Sequence, residues 1–160
     1  MKNDKIICHV CAFKMESKEV KDNCQRCGTD LQNPEKEQLQ KIGVGNYVRK
    51  NILSQCLCAL FLTNKRLFLV AARKGVLGFG SDAGASGAIA LRQGGGSKEL
   101  EFSIPLENIQ EVSEKKIKLS KSIIIKTKDN EEYNLNMQEL FNKKAQEEWV
   151  EAITEEAAIQ

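Results

Sequence analysis

The chain has 160 residues, 41% hydrophobic and 29% charged, with 24 basic against 22 acidic side chains. This apolar share excludes a wholly disordered chain, and a formal net charge of +2 argues against a strongly cationic binder of nucleic acid or membrane. The longest apolar run, Cys56 to Leu62, is far short of the roughly 20 residues a membrane-spanning helix needs. The N-terminal MKNDKIICHV lacks the apolar stretch of a secretory signal, so a cytoplasmic location is expected, with peripheral membrane attachment left open.

Six cysteines are present, and the first four, Cys8, Cys11, Cys24 and Cys27, read C-x2-C-x12-C-x2-C. Each C-x2-C pair suits a tight turn aiming two thiolates at one ion. The intervening hairpin brings the turns together, which fits one structural Zn²⁺ per chain in a closed tetrahedral site. Gly28 follows the second pair and suits the left-handed conformation of such a turn; Ala12 occupies the equivalent place after Cys11. In a reducing compartment disulfides are disfavoured. A segment with so few large apolar side chains cannot hold itself together by burial, so metal supplies the folding energy. His9 reads as an exposed turn residue, since four cysteines complete the tetrahedron. Four thiolates and Zn²⁺ add −2, which brings the formal charge to about zero. Residues 6 to 32 resemble a zinc ribbon, a two-knuckle module found at the start of many prokaryotic proteins.

Asn33-Pro34-Glu35 carries N-cap and first-turn features, and Gly43 suits a helix stop. A linker helix is therefore expected within residues 33–43. After Gly45 the pattern turns to strands. Tyr47 to Leu53, Gln55 to Leu62 and Leu67 to Ala72 are the first three, with a polar turn at 63–66. Leu100 to Ile104 alternates and ends at Pro105. Ile109 to Leu119, Ser122 to Lys128 and Tyr133 to Met137 follow. From Gln138 the period becomes helical: Phe141, Ala145, Trp149, Ala152 and Ile153 share a stripe, and Trp149 reads as a core anchor. Cys56 and Cys58 lie on one strand face with Leu60 and Leu62 and read as buried small hydrophobes.

Three motifs in order carry a second resemblance. Leu60-Phe61-Leu62-Thr63-Asn64-Lys65-Arg66-Leu67-Phe68, Ile104-Pro105-Leu106-Glu107-Asn108-Ile109 and Trp149-Val150-Glu151-Ala152-Ile153 are similar to the hairpin, middle turn and final helix of GRAM and bacterial pleckstrin-homology (PH)-like domains. The resemblance covers about residues 44 to 157. It implies an α+β, mainly β architecture: a zinc ribbon at 1–32, a linker at 33–43, and a PH-like domain at 44–160. That domain would be a seven-stranded, antiparallel, partly open barrel capped by a C-terminal helix. It also implies a non-catalytic binding module for proteins or lipids.

Residues 75 to 96 hold eight of the eleven glycines. Gly78-Phe79-Gly80 begins like a dinucleotide fingerprint, but the antiparallel β surroundings lack the βαβ unit it needs. The insertion at 73–98 is expected to be a flexible loop. A sharper reading makes it a membrane or partner contact through Arg73, Lys74, Val76, Leu77, Phe79 and Arg92, because basic residues flank apolar ones there. The acidic tip Asp129-Asn130-Glu131-Glu132 argues against an inositol-phosphate pocket.

No catalytic constellation is visible: the single His lies inside the first knuckle, and a closed four-thiolate site leaves no position for substrate. The expectation is a non-catalytic adaptor that binds a protein partner or an anionic membrane surface, with no small-molecule substrate. The alternative is a nucleic-acid-associated zinc-ribbon protein using Lys14, Lys18, Lys21 and Arg26. Glu16, Glu19, Asp22 and Asp30 cancel that charge, and Phe13 alone makes no stacking platform.

Overall fold

The computed structural model describes residues 4–18, 22–48, 55–72, 88–117, 120–137 and 143–159. A small sheet pairs β1 (Lys5–Ile7) with β2 (Lys14–Glu16). The main sheet has seven antiparallel strands: β3 (Leu39–Val48), β4 (Gln55–Thr63), β5 (Arg66–Ala71), β6 (Phe102–Pro105), β7 (Ile109–Ile117), β8 (Ser120–Thr127) and β9 (Glu132–Met137). Their spatial order is β6-β5-β4-β3-β9-β8-β7. A C-terminal helix, α1 (Ala145–Glu156), packs on β7, β8 and β9.

The sheet curls on itself. Phe102 on β6 and Tyr133 on β9 belong to strands four places apart, yet their ring centroids lie 4.5 Å apart. Tyr47 on β3 meets Phe102 edge-on at 5.5 Å. Inward side chains of every main-sheet strand from β3 to β9, with Trp149 and Ile153 of α1, form one core. Trp149 is fully buried, as a core anchor should be. Cys58, Leu60 and Leu62 face this core, and Cys56 packs at its margin. Burial raises the Cys58 thiol pKa above its ordinary value, so it behaves as a small hydrophobe.

The linker-helix expectation is corrected. Pro34–Lys36 forms only a 3-10 turn, and β3 begins at Leu39 rather than near Tyr47. Asn33 makes no helix cap; its side chain donates to Asp30 at 2.8 Å. Gly43 is no helix stop either. A Cβ there would sit 2.7 Å from the Trp149 ring, and one on Gly45 would strike the Asn136 carbonyl. Both glycines lie in β3 because an indole and a neighbouring strand need the space.

The hairpin turn between β4 and β5 does more than reverse the chain. Thr63 Oγ1 accepts from the amides of Lys65 and Arg66 at 3.1 and 3.0 Å. Asn64 exchanges bonds with Gln38: its Oδ1 accepts from the Gln38 amide at 2.8 Å and its amide donates back at 3.1 Å. The turn at 106–108 joins two hairpins in the same way. The Leu106 amide donates to Lys65 O, and Asn108 Nδ2 donates to Asp129 at 2.7 Å. Two of the three quoted motifs are thus turns that tie distant segments together.

Candidate metal centre

The two C-x2-C turns fold alike. The Ala12 amide donates to Cys8 O at 3.0 Å, and the Gly28 amide donates to Cys24 O at 2.8 Å. The Cys8 amide donates to Phe13 O, and the Cys24 amide donates to Thr29 O. Ala12 and Gly28 both adopt left-handed backbone, at φ 57° and 73°. The first knuckle therefore carries in an alanine the strain that glycine relieves in the second.

These turns bring Cys8, Cys11, Cys24 and Cys27 together, all buried, with their sulfurs within 4.8 Å of one another. Cys8–Cys27 and Cys11–Cys24 are 3.7 Å apart, and none of the four forms a disulfide. A tetrahedral thiolate site with metal–sulfur bonds of about 2.3 Å needs sulfurs about 3.8 Å apart. The group could hold a metal ion.

The charges around the sulfurs fit a cation. Four thiols this close cannot all ionise unaided. Proton sharing with Cys24 and Cys27 pushes the Cys11 thiol up, and Cys24 is correspondingly held down by Cys11. Arg26, only 5% exposed, lies beside the site. Burial lowers its pKa, and Cys11, Cys24 and Cys27 oppose that shift. Its Nε and Nη1 find no hydrogen-bond partner among the described residues. Buried N–H donors beside sulfur suit thiolates that keep negative charge around a bound cation. His9 is exposed and bonds the Glu37 carbonyl through Nε2 at 3.0 Å, away from the sulfurs.

The four-cysteine module does not stand apart from the sheet. Its cysteines, Val10 and Met15 form one apolar cluster with Ala59 and Phe61 of β4, Phe68 and Val70 of β5, and Leu91. Phe61 and Phe68 stack at 4.9 Å beneath it. A polar bridge runs alongside. Thr29 Oγ1 lies 3.0 Å from Cys27 Sγ and 3.2 Å from Glu37 Oε2, so its single proton serves one of them. Arg66 grips Glu37 bidentately, with Nε 2.7 Å from Oε1 and Nη2 3.2 Å from Oε2. It also donates to Thr29 at 3.1 Å. Burial alone would lower the Arg66 pKa; the bonds to Glu37 outweigh it and the net shift is upward. Thr63 Oγ1 meets Glu37 Oε1 at 3.0 Å and closes the network.

The sequence-based candidates divide accordingly. The structure brings the four knuckle cysteines together. Arg73, Lys74, Val76, Leu77 and Phe79 lie outside the described residues, as do Phe141 and residues 49–53 of the expected first strand. Arg92 is exposed on a helical turn at 88–92. That end of the insertion is docked instead of free, since Leu91 is 1% exposed in the cluster with the cysteines. Sequence reasoning passed over Glu37, Arg66, Thr29 and the role of Arg26. Their signal was weak: one acidic and two basic residues among 46 charged ones.

A family model described as a bacterial PH domain matches residues 89–155, which run from the docked turn through β6–β9 and most of α1. No curated protein matches the chain. Among solved structures, the C-terminal domain of an unknown protein from Leishmania infantum is 16% identical with a TM-score of 0.52, over 78% of this chain and 87% of that one. The linker-DH/PH domains of p115-RhoGEF are 14% identical with a TM-score of 0.49, over 77% of this chain and 30% of that one. The seven-stranded antiparallel sheet, the C-terminal helix and the family match agree on a mainly β, PH-like fold joined to a four-cysteine cluster.

Proposed function

We propose that this chain is a non-catalytic zinc-binding adaptor. A zinc ribbon at residues 1–32, with Cys8, Cys11, Cys24 and Cys27 as ligands of one Zn²⁺, is followed by a connecting segment at 33–43, whose residues from Leu39 on already belong to β3. A GRAM-type PH-like domain at 44–160 then docks on a protein or on the surface of a membrane. The observation that carries the reading is the closed character of the cluster. All four sulfurs are buried against the sheet, so the ion would have a structural role with no open position for a substrate. The PH-like fold supports a binding role; PH domains generally bind proteins or lipids. Among the described residues no helix is long and apolar enough to cross a membrane, so a membrane role would be peripheral. Arg73, Lys74, Val76, Leu77, Phe79 and Arg92 remain the proposed contact residues.

The nucleic-acid alternative has less support. Arg26, one of the four basic residues it needs, is buried and bonded to Gly94 and Gly95.

Co-sedimentation of the metal-loaded protein with neutral and anionic vesicles, at low and physiological salt, tests the reading. Binding to anionic vesicles only, weakened by salt, is the expected result for membrane docking. Absence of binding in every condition would leave a protein partner, to be sought by pull-down.

A further inference from the structure

Arg26 contacts three separate parts of the chain. It lies beside Cys11, Cys24 and Cys27. Its guanidinium carbon sits 4.6 Å over the Phe13 ring of the first knuckle. Its Nη2 donates to Gly94 O at 2.9 Å and Gly95 O at 2.6 Å. Only Nη2 is spent on those carbonyls; Nε and Nη1, both buried, have no partner among the described residues. The segment it grips is also shaped to fit. Gly94 has φ 90°, and a Cβ there would collide with the Ala12 carbonyl. The Gly95 amide donates to Ala90 O at 2.7 Å, and the Ser97 amide donates to Ala71 O at 2.8 Å. Leu91 packs into the cluster with the cysteines.

We infer that Arg26 is a positioning residue that couples the metal–thiolate centre to residues 88–97, so that metal loading holds this segment on the knuckles and displays Ile89 and Arg92 on a fixed turn. The inference rests on the proposed metal site and adds regulation to the proposed contact surface. An isolated buried guanidinium is costly. Arg26 lies between Cys24 and Cys27 in the second knuckle, so four thiolates around a bound cation would place fixed negative charge beside its guanidinium. With the cation gone nothing fixes the two knuckles against each other, so the turn that carries Arg26 and the Ala12 carbonyl beside Gly94 no longer hold one geometry, and the grip on Gly94 and Gly95 loses its anchor. Ile89 is 56% exposed and Arg92 is exposed, so the displayed turn offers one apolar and one cationic group.

The test is amide hydrogen exchange on the full chain loaded with Co²⁺, comparing wild type, Arg26→Gln and Gly94→Ala. Cobalt reports its own coordination through the thiolate-to-metal absorption band. In wild type, chelation should raise exchange at Gly95 and Ser97 by about tenfold or more. Arg26→Gln should do the same with cobalt still bound and its absorption band shifted, while β8 amides stay protected. Gly94→Ala should release the segment from the other side with the band unmoved. Cobalt-loaded Arg26→Gln with wild-type protection at Gly95 and Ser97 would overturn the inference while leaving the metal site intact. A wild-type chain that gives no cobalt–thiolate spectrum would overturn the metal reading itself, and the inference with it.

Discussion

The two halves of the main sheet are covered differently. In β4 and β5 both faces are buried: Leu60, Leu62, Leu67 and Leu69 face the inner core, while Ala59, Phe61, Phe68 and Val70 lie under the cysteine module. In β8 and β9 Ile123, Ile125, Leu135 and Met137 face the inner core, while on the other face Lys126 and its partner Glu111 of β7 are exposed and Ile124 is buried. Antiparallel strands with one wet face alternate polar and apolar; strands covered on both faces become continuous apolar runs. CLCALFL and LFLVA are such runs. The module is therefore a third layer over one half of the sheet, and its loss should injure the halves unequally.

Cys11→Ser is the most severe way to break that comparison. Structural zinc supplies about 10–16 kcal/mol in comparable peptides, and the substitution removes one of four ligands. Metal content should fall to near zero, and amide dispersion of residues 5–32 should collapse in a proton NMR spectrum. Phe61, Phe68 and Val70 would become accessible, giving a rise in binding of an apolar dye, while β8 and β9 amides keep native shifts. Equal loss of dispersion in both halves would contradict the layered description. Acid should act through the same centre. The four sulfurs must be deprotonated to hold metal, so protons compete with the ion and occupancy falls as pH falls. A metal indicator should detect release on acidification, with β8 and β9 little changed.

Arg66→Ala addresses the polar seam. Glu37, 7% exposed, would lose its bidentate partner. Breaking a buried pair costs about 3–5 kcal/mol, read as a fall in the urea midpoint. Gly43→Ala probes the opposite side, forcing a methyl against the Trp149 ring; overpacking of this kind costs about 1–3 kcal/mol with metal content unchanged. Gly28→Ala should have the smallest effect. Nothing lies within 4 Å of its Cβ position, so only the left-handed backbone resists, at about 1–2 kcal/mol. Ala12 already tolerates that conformation in the first knuckle.

Much of this was legible in the residues. The cysteine spacing pointed to one four-sulfur cluster, because a C-x2-C turn is local and its geometry follows from a few backbone bonds. The hairpin at 63–66, the alternating LEFSI and the stripe through Ala145, Trp149 and Ile153 also described what formed. The helix expected at 34–42 failed because local capping signals competed with non-local demands. Gly43 makes room for an indole more than 100 residues away in the chain, and Gly45 for the backbone of β9. The unbroken apolar character of 56–62 and 67–72 signalled two-sided burial, but nothing local named the cover.

By itself, the sequence determined the elements whose causes lie within a few residues: the two knuckles, the polar hairpin turn, the strands of the second half and the final helix. Only the tertiary structure decided that the knuckles pack on the outer face of β4 and β5, that Glu37 and Arg66 meet beside Thr29, and that Arg26 holds Gly94 and Gly95. The physical reason is sequence separation. A turn is set by neighbouring dihedrals, whereas the pairing of Arg26 with carbonyls 68 and 69 positions away follows from how three layers fill space together.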